Sequence, residues 1–393
     1  MRTIGTQVRG IRAPIIKSGD NLAEIVVSSL QRSWQEEDYK IKDKDVVGIT
    51  ESLVARAQGN YIDIDDIAAE INEYFSSDSI GVVFPILSRN RFSMILKGIA
   101  RSHKKIYLQL SYPNDEVGNP LLDRNEIYRR GINPYSDTIT EEEFYKYFAN
   151  YKHPFTGVNY IDLYKEIAAE TEIEIILSNR AEKILDYTKD VLAADIHTRK
   201  RTKKILKENG AETVIGLDDI CTEDKGKGYN QEYGLLGSNK ASDIELKLFP
   251  RDGQEFVDDV QARLKDITGK DVEVMIYGDG AFKDPAAKIW ELADPVVSPA
   301  YTEGLEGTPS EVKLKYLADN DLKDLEGEKL LEAMKEEIKG KEDDLRANIK
   351  AQGTTPRRLT DLLGSLCDLV SGSGDKGTPI ILISGYFDNL ADE

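Results

Sequence analysis

Apolar positions along this chain fall into two rhythms that alternate with one another. Val8 to Ile16 form an apolar opening, and Leu22 to Leu30 repeat at helical spacing behind SGDNL, where Ser18 or Asp20 is the expected cap. DKDVVGIT then reads as a buried strand. In YIDIDDIAAEINEYF, Ile64, Ile67, Ala68 and Ile71 share one helix face, and GVVFPIL returns as a short apolar strand.

The middle of the chain continues the alternation. KKIYLQLSY and EIEIIL have strand character, helical runs are expected near Thr140 to Tyr147 and Tyr160 to Glu170, and HTRKRTKKILKENG is a basic helix that Gly210 stops. Further on come a helix over Glu255 to Ile267 and the strand DVEVMIYGDG. An acidic stretch near 318–346 has Glu328, Lys329, Glu332, Lys335 and Glu336 spaced as surface pairs of a solvated helix. TTPRRLTDLLGSLCDLVSGSGDKGTPIILISGY closes the chain as capped helix, glycine-rich turn and buried strand. No Pro/Ser/Gly-rich linker divides these elements, which places the chain in the α+β class with mixed sheets and flanking helices.

Composition narrows the functional classes. At 40% hydrophobic and 31% charged, the 393 residues have the profile of a globular protein, long enough for one large domain or two. A formal net charge of −19 argues against broad nucleic-acid binding, which depends on lysines and arginines displacing counterions. Basic groups in such acidic surroundings become informative: Arg89 with Arg91, Arg199 to Lys204, and Arg357 with Arg358. Cys221 and Cys367 lack CxxC spacing, so neither a disulfide framework nor a zinc knuckle is indicated. The first residues carry no apolar signal region and no run of about 18 apolar residues occurs, making the cytoplasm the expected compartment and a membrane an unexpected partner.

Several features have chemical potential, each with an ordinary alternative. In IYGDGAFKDP an apolar strand delivers Asp279 between Gly278 and Gly280, a geometry suited to Mg²⁺ or Mn²⁺, or a plain DG turn. Asp243 follows GLLGSNKAS; it is a second metal aspartate or a turn residue. SGSGDKG, with Gly372, Ser373 and Lys376, is a phosphate cradle or a hairpin turn, and it lacks the Walker spacing. Arg89, Arg91 and Arg357 suit a bidentate grip on carboxylate or phosphate, or surface ion pairs. His153 sits among polar and aromatic residues, where a structural histidine is the plainer reading. No HExxH, GxSxG or nucleophile-triad pattern is present.

Taken in order, VRGIRAPIIKSGDNL, DVVGITESLVARAQG, YGLLGSNKASD with LKLFPRD, DVEVMIYGDGAF and LVSGSGDKGTPIILISGY resemble the γ-glutamyl ligase family that builds the polyglutamate tail of coenzyme F(420). The resemblance implies that Asp243 and Asp279 hold the metals, that Arg56 grips the nucleotide, and that Gly10 and Ile11 lie where the family touches GTP. It also implies an intertwined homodimer. This chain departs from the family pattern at Gly280, where a threonine is expected, at Ser373 in place of a glutamine, and at Ser384 with Gly385 in the closing strand.

The function these readings imply is an amide ligase. GTP or ATP would activate a carboxylate as an acyl phosphate, with Mg²⁺ or Mn²⁺ as cofactor, and L-glutamate or a similar amine would displace the phosphate. Arg89, Arg91 and Arg357 are the expected substrate contacts, while Gly10, Ile11, Arg56, Gly372, Ser373 and Lys376 are the expected nucleotide contacts. A folate-type glutamyl ligase and a non-catalytic nucleotide or anionic-metabolite binder are the alternatives. The expected organisation is a core over 1–300 with an inserted region at about 100–230, an acidic helical insert at 301–355, and a C-terminal helix-loop-strand at 356–393.

Overall fold

The computed structural model describes residues 3–392 apart from 155, 279–280, 284–289, 293–297, 343–344, 346–347, 352–356 and 373. The chain starts with β1 (Gln7–Ile11), α1 (Leu22–Glu36), β2 (Val46–Thr50), α2 (Glu51–Gln58), β3 (Tyr61–Asp63) and α3 (Ile64–Tyr74). Its middle runs β4 (Ser79–Val83), α4 (Arg91–Ser102), β5 (Lys105–Leu110), α5 (Arg124–Arg129), β6 (Ile139–Thr140), α6 (Glu141–Tyr147), α7 (Tyr160–Ile167), β7 (Glu172–Leu177), β8 (Asp190–Ala193), α8 (Arg199–Glu208) and β9 (Thr213–Gly216). The remainder is β10 (Asn239–Lys240), β11 (Glu245–Lys247), α9 (Gly253–Thr268), β12 (Glu273–Tyr277), the hairpin β13 (Ala281–Lys283) with β14 (Trp290–Leu292), β15 (Ala300–Tyr301), α10 (Leu314–Asp319), α11 (Gly327–Lys339), α12 (Leu359–Val370) and β16 (Ile380–Ser384). This is the mixed α+β architecture that the alternating pattern implies.

Local chemistry explains several helix starts, with side-chain caps on α1, α3, α5, α6 and α7. Asn21, not Ser18 or Asp20, caps α1: its side chain accepts from the Glu24 amide at 3.3 Å, while Asp20 accepts from the Lys17 amide in the preceding turn. Asp63 caps α3, whose Ile64, Ile67, Ala68 and Ile71 are all buried as their spacing implies, and Thr140 with Glu143 forms a capping box on α6. The closing helix departs from expectation. α12 begins after Arg358 without a side-chain cap, and packing of its buried face holds it instead.

Two sheets organise the molecule. The first has the order β1-β16-β2-β12-β15, with β2 and β12 parallel and the other pairs antiparallel. It is covered on both faces. Val47, Ile49, Val274, Ile276, Ile380 and Leu382 pack toward α1 and α9, while Val46, Met275, Tyr277, Ile381 and Ile383 pack toward α12. Gly48 allows α12 to approach β2 closely, because a side chain there would overlap the Cys367 sulfur.

The second sheet, β6-β7-β5-β4-β8-β9, comes entirely from residues 79–216 and is parallel except for the edge strand β6. A small antiparallel sheet, β10-β11-β3, lies between the two in sequence and carries β11 against β3. In the acidic stretch the expected surface pairing is seen at Lys335 and Glu332, 3.4 Å apart on α11. Among the described residues no helix is long and apolar enough to cross a membrane.

Candidate functional site

β2 and β12 run parallel as neighbours, so their carboxyl ends open at the same edge of the first sheet, at Thr50 and Gly278. The start of β16 joins them there, the Thr50 amide donating to the Pro379 carbonyl at 3.2 Å. This edge forms the floor of a polar cleft of about 530 Å³. Glu51 and Ser52 enter it from the start of α2, Asp368 and Ser371 from the end of α12, and Asn90 from the loop before α4. Asn239, Lys240, Ala241 and Lys247 close it from the small sheet.

One charged pair is buried in the wall of this cleft. Lys247 donates to both oxygens of Glu51, at 2.6 and 2.5 Å, and the two side chains are only 8% and 6% exposed. Lys247 lies between Leu246 and Leu248, both fully buried, so β11 delivers an ammonium group deep beside the first residue of a helix. A buried cation of this kind needs an anion, and Glu51 provides one at the cleft wall. Lys240 adds a second positive group, and it donates to Asp243 at 2.7 Å.

The expected site residues divide by location. Gly10 and Ile11 pair with Ile381 and Ile380, and the Ala13 amide donates to Gly377, so these residues do meet the glycine-rich loop. Within that loop, however, the amides of Gly372 and Thr378 bond to each other's carbonyls at 3.3 and 2.8 Å, which closes it as a turn and leaves neither amide for a phosphate. Lys376 is exposed and Ser373 lies outside the described residues. Arg56 is on the last turn of α2, away from the end of that helix that enters the cleft, and donates to the Ile16 carbonyl at 2.6 Å.

Asp243 is 89% exposed, and its hydrogen bond from Lys240 lowers its pKa. It therefore sits outside the cleft, attached to a lysine that lines it. Asp279 lies outside the described residues, directly after the cleft residue Gly278. Arg89 and Arg91 flank the cleft residue Asn90, and Arg357 lies at the opposite end of α12 from the cleft residue Asp368. Arg91 donates to the Ser238 carbonyl at 2.9 Å, Arg89 is exposed, and Arg357 precedes the far end of α12, a twelve-residue helix and so about 18 Å long, from Asp368. His153 is structural: its Nδ1 accepts from the Thr156 amide at 3.1 Å, its ring meets Tyr160 edge-on, and burial lowers its pKa.

Glu51, Lys240, Lys247 and Asp368 were not singled out from the sequence. Lys247 had the clearest signal, a lysine inside the apolar run ELKLFP, which reads equally well as an outward-facing strand position. The pairing of β11 with β3, distant in sequence, is what turns it inward.

The cleft at the ends of these parallel strands is polar, lined by two lysines, two carboxylates, amide side chains and hydroxyls, in a mixed α+β fold. The chain belongs to the F420-0:Gamma-glutamyl ligase family, whose sequence model matches residues 10–385. It is accordingly an enzyme of the amide-ligase class. No curated protein matches it.

Proposed function

We propose that this protein is a nucleotide-dependent ligase that joins L-glutamate, or a similar amine, to a carboxylate acceptor through an acyl phosphate. The observation that supports this reading most is the Lys247–Glu51 pair in the wall of the cleft, with Lys240 beside it. In the first step an oxygen of the acceptor carboxylate attacks the γ-phosphorus of GTP or ATP, and the bond to the nucleoside diphosphate breaks. The amine then attacks the acyl carbon, phosphate leaves, and the nitrogen loses a proton. Lys240 and Lys247 offset the charge gathered by phosphate and carboxylate, Glu51 holds Lys247 in place, and Asn90 and Asn239 orient the reactants.

Mg²⁺ or Mn²⁺ would neutralise the nucleotide phosphates. Among the described residues no three His, Cys, Asp or Glu side chains gather as a metal site, and Asp243 is tied to Lys240. The described donors therefore do not fit a metal by themselves. Asp279 and Asp243 remain the proposed ligand positions, on the family resemblance and on the adjacency of Asp279 to Gly278. The intertwined homodimer is part of the same proposal.

The test is to incubate the full-length protein with GTP or ATP, Mg²⁺ or Mn²⁺, L-glutamate and a panel of carboxylates. Nucleoside diphosphate and phosphate released only with both glutamate and acceptor present support the reading. No release with any acceptor, together with tight nucleotide binding, would favour the non-catalytic binder.

A further inference from the structure

From β4 the second sheet builds outward in one direction, to β5 and then β7; the chain then returns to lay β8 on the other side of β4, with β9 beyond it. All five strands are parallel, and the direction of winding reverses between β4 and β8. The helices that follow these two strands cover opposite faces: Ile95 and Ile99 of α4 join the cluster holding Ile80 and Val82, while Leu206 of α8 joins the one holding Val83 and Val191. Loops that part in this way leave a crevice outside the carboxyl ends of the strands, the usual ligand position in an open parallel sheet.

The loop after β8 leads through Asp195, Ile196, His197 and Thr198 into α8, a ten-residue helix with no acidic residue in its first turn and with Lys200 and Arg201 exposed there. Glu116, from the loop after β5, reaches across to it. Its Oε1 accepts from the Ile196 amide at 2.5 Å, both oxygens lie 3.3 Å from the His197 nitrogen, and Oε2 accepts from the Thr198 amide and hydroxyl at 3.3 and 3.2 Å. A carboxylate collecting three successive amides ahead of a helix stands where such termini hold phosphate.

Asp195 gives an independent indication. It is fully buried in the loop that follows β8; its Oδ2 accepts from the Thr198 and Thr202 hydroxyls at 2.6 and 2.7 Å, and its Oδ1 has no hydrogen-bond partner among the described residues. The Thr198 hydroxyl thus lies between two carboxylates with a single proton to donate. A site made only to cap a helix has no need of the second carboxylate or of the unmatched oxygen.

We propose that this crevice is a second ligand site, for a phosphate-bearing small molecule, in which Glu116 is a built-in stand-in for phosphate that the ligand displaces. With ligand bound, phosphate oxygens take the amides of Ile196, His197 and Thr198, Lys200 and Arg201 supply positive charge, and Asp195 Oδ1 accepts from a hydroxyl of the ligand. None of these residues lines the ligase cleft, so the site stands independently of the ligase reading.

The full-length protein and its Glu116→Gln and Glu116→Ala variants are titrated with inorganic phosphate while amide hydrogen exchange is followed across 194–202. Removing the competing charge is expected to tighten phosphate binding roughly tenfold or more, with exchange slowed at 196–198 when phosphate is added. Glu116→Gln keeps the side-chain length, so it decides the matter if Glu116→Ala does not fold. Adding Lys200→Glu and Arg201→Glu to Glu116→Gln should reverse the gain. The proposal is overturned if Glu116→Gln gains no affinity, or gains it without slowed exchange at 196–198.

Discussion

Replacing Lys247 by methionine removes the cation that both oxygens of Glu51 face, in a setting where the two side chains are 8% and 6% exposed. The methionine fills most of the lysine's volume, so the loss is chiefly electrostatic. Breaking a buried ion pair from one side costs about 3–5 kcal/mol, because the remaining charge stays out of water. Glu51→Gln should cost a similar amount, while the double variant Glu51→Gln with Lys247→Met should recover most of the loss, since no unpaired charge remains. A double-mutant cycle by chemical denaturation measures this directly, with a coupling of about 2 kcal/mol or more expected. Single variants that each cost less than about 1 kcal/mol, or losses that simply add, would refute the claim that the pair is buried and interdependent.

Other consequences can be checked separately. Gly48→Ala puts a methyl group against the Cys367 sulfur and should cost about 1–3 kcal/mol, partly restored by Cys367→Ala; an unchanged melting curve for Gly48→Ala contradicts the close approach of α12 to β2. Burial pushes the Asp115 carboxyl up to about 6 from an ordinary 3.8, so its contribution to stability is complete below about pH 4 and falls by about 3 kcal/mol as pH rises through 6. An NMR titration with a midpoint below 4.5 for Asp115 would contradict that burial. Chelation of divalent ions, or Asp279→Asn, should abolish nucleoside diphosphate release while leaving the thermal melt in place; full activity under both treatments removes the metal from the proposal.

What could be read from the sequence follows how local the physics is. α3 was legible because Ile64, Ile67, Ala68 and Ile71 declare their own face, β2 and β12 because strands buried on both faces are largely apolar, and β5 and β7 because β-branched and apolar residues follow their polar first positions. The cap of α1 was misplaced by one to three residues, since Ser18, Asp20 and Asn21 offer similar oxygen acceptors and only the loop geometry selects Asn21. The cleft was less legible than the elements around it. Its Glu51–Lys247 pair joins residues 196 positions apart, and only the pairing of β11 with β3 brings them together. Gly278 was found through its aspartate neighbour, whereas nothing in the sequence distinguishes Asp368 from any other charge in a helix. The reversal of winding at β4 and β8 is a property of strand order, which no local pattern in the sequence encodes.

The most direct test of the ligase account is product analysis by mass spectrometry after incubating the protein with nucleotide, divalent metal, L-glutamate and carboxylate acceptors. The account predicts an acceptor heavier by one glutamyl residue, formed in step with nucleoside diphosphate and lost in Lys247→Met protein that still folds. Nucleotide turnover without any glutamyl product, or product formed at the wild-type rate by Lys247→Met, would contradict it.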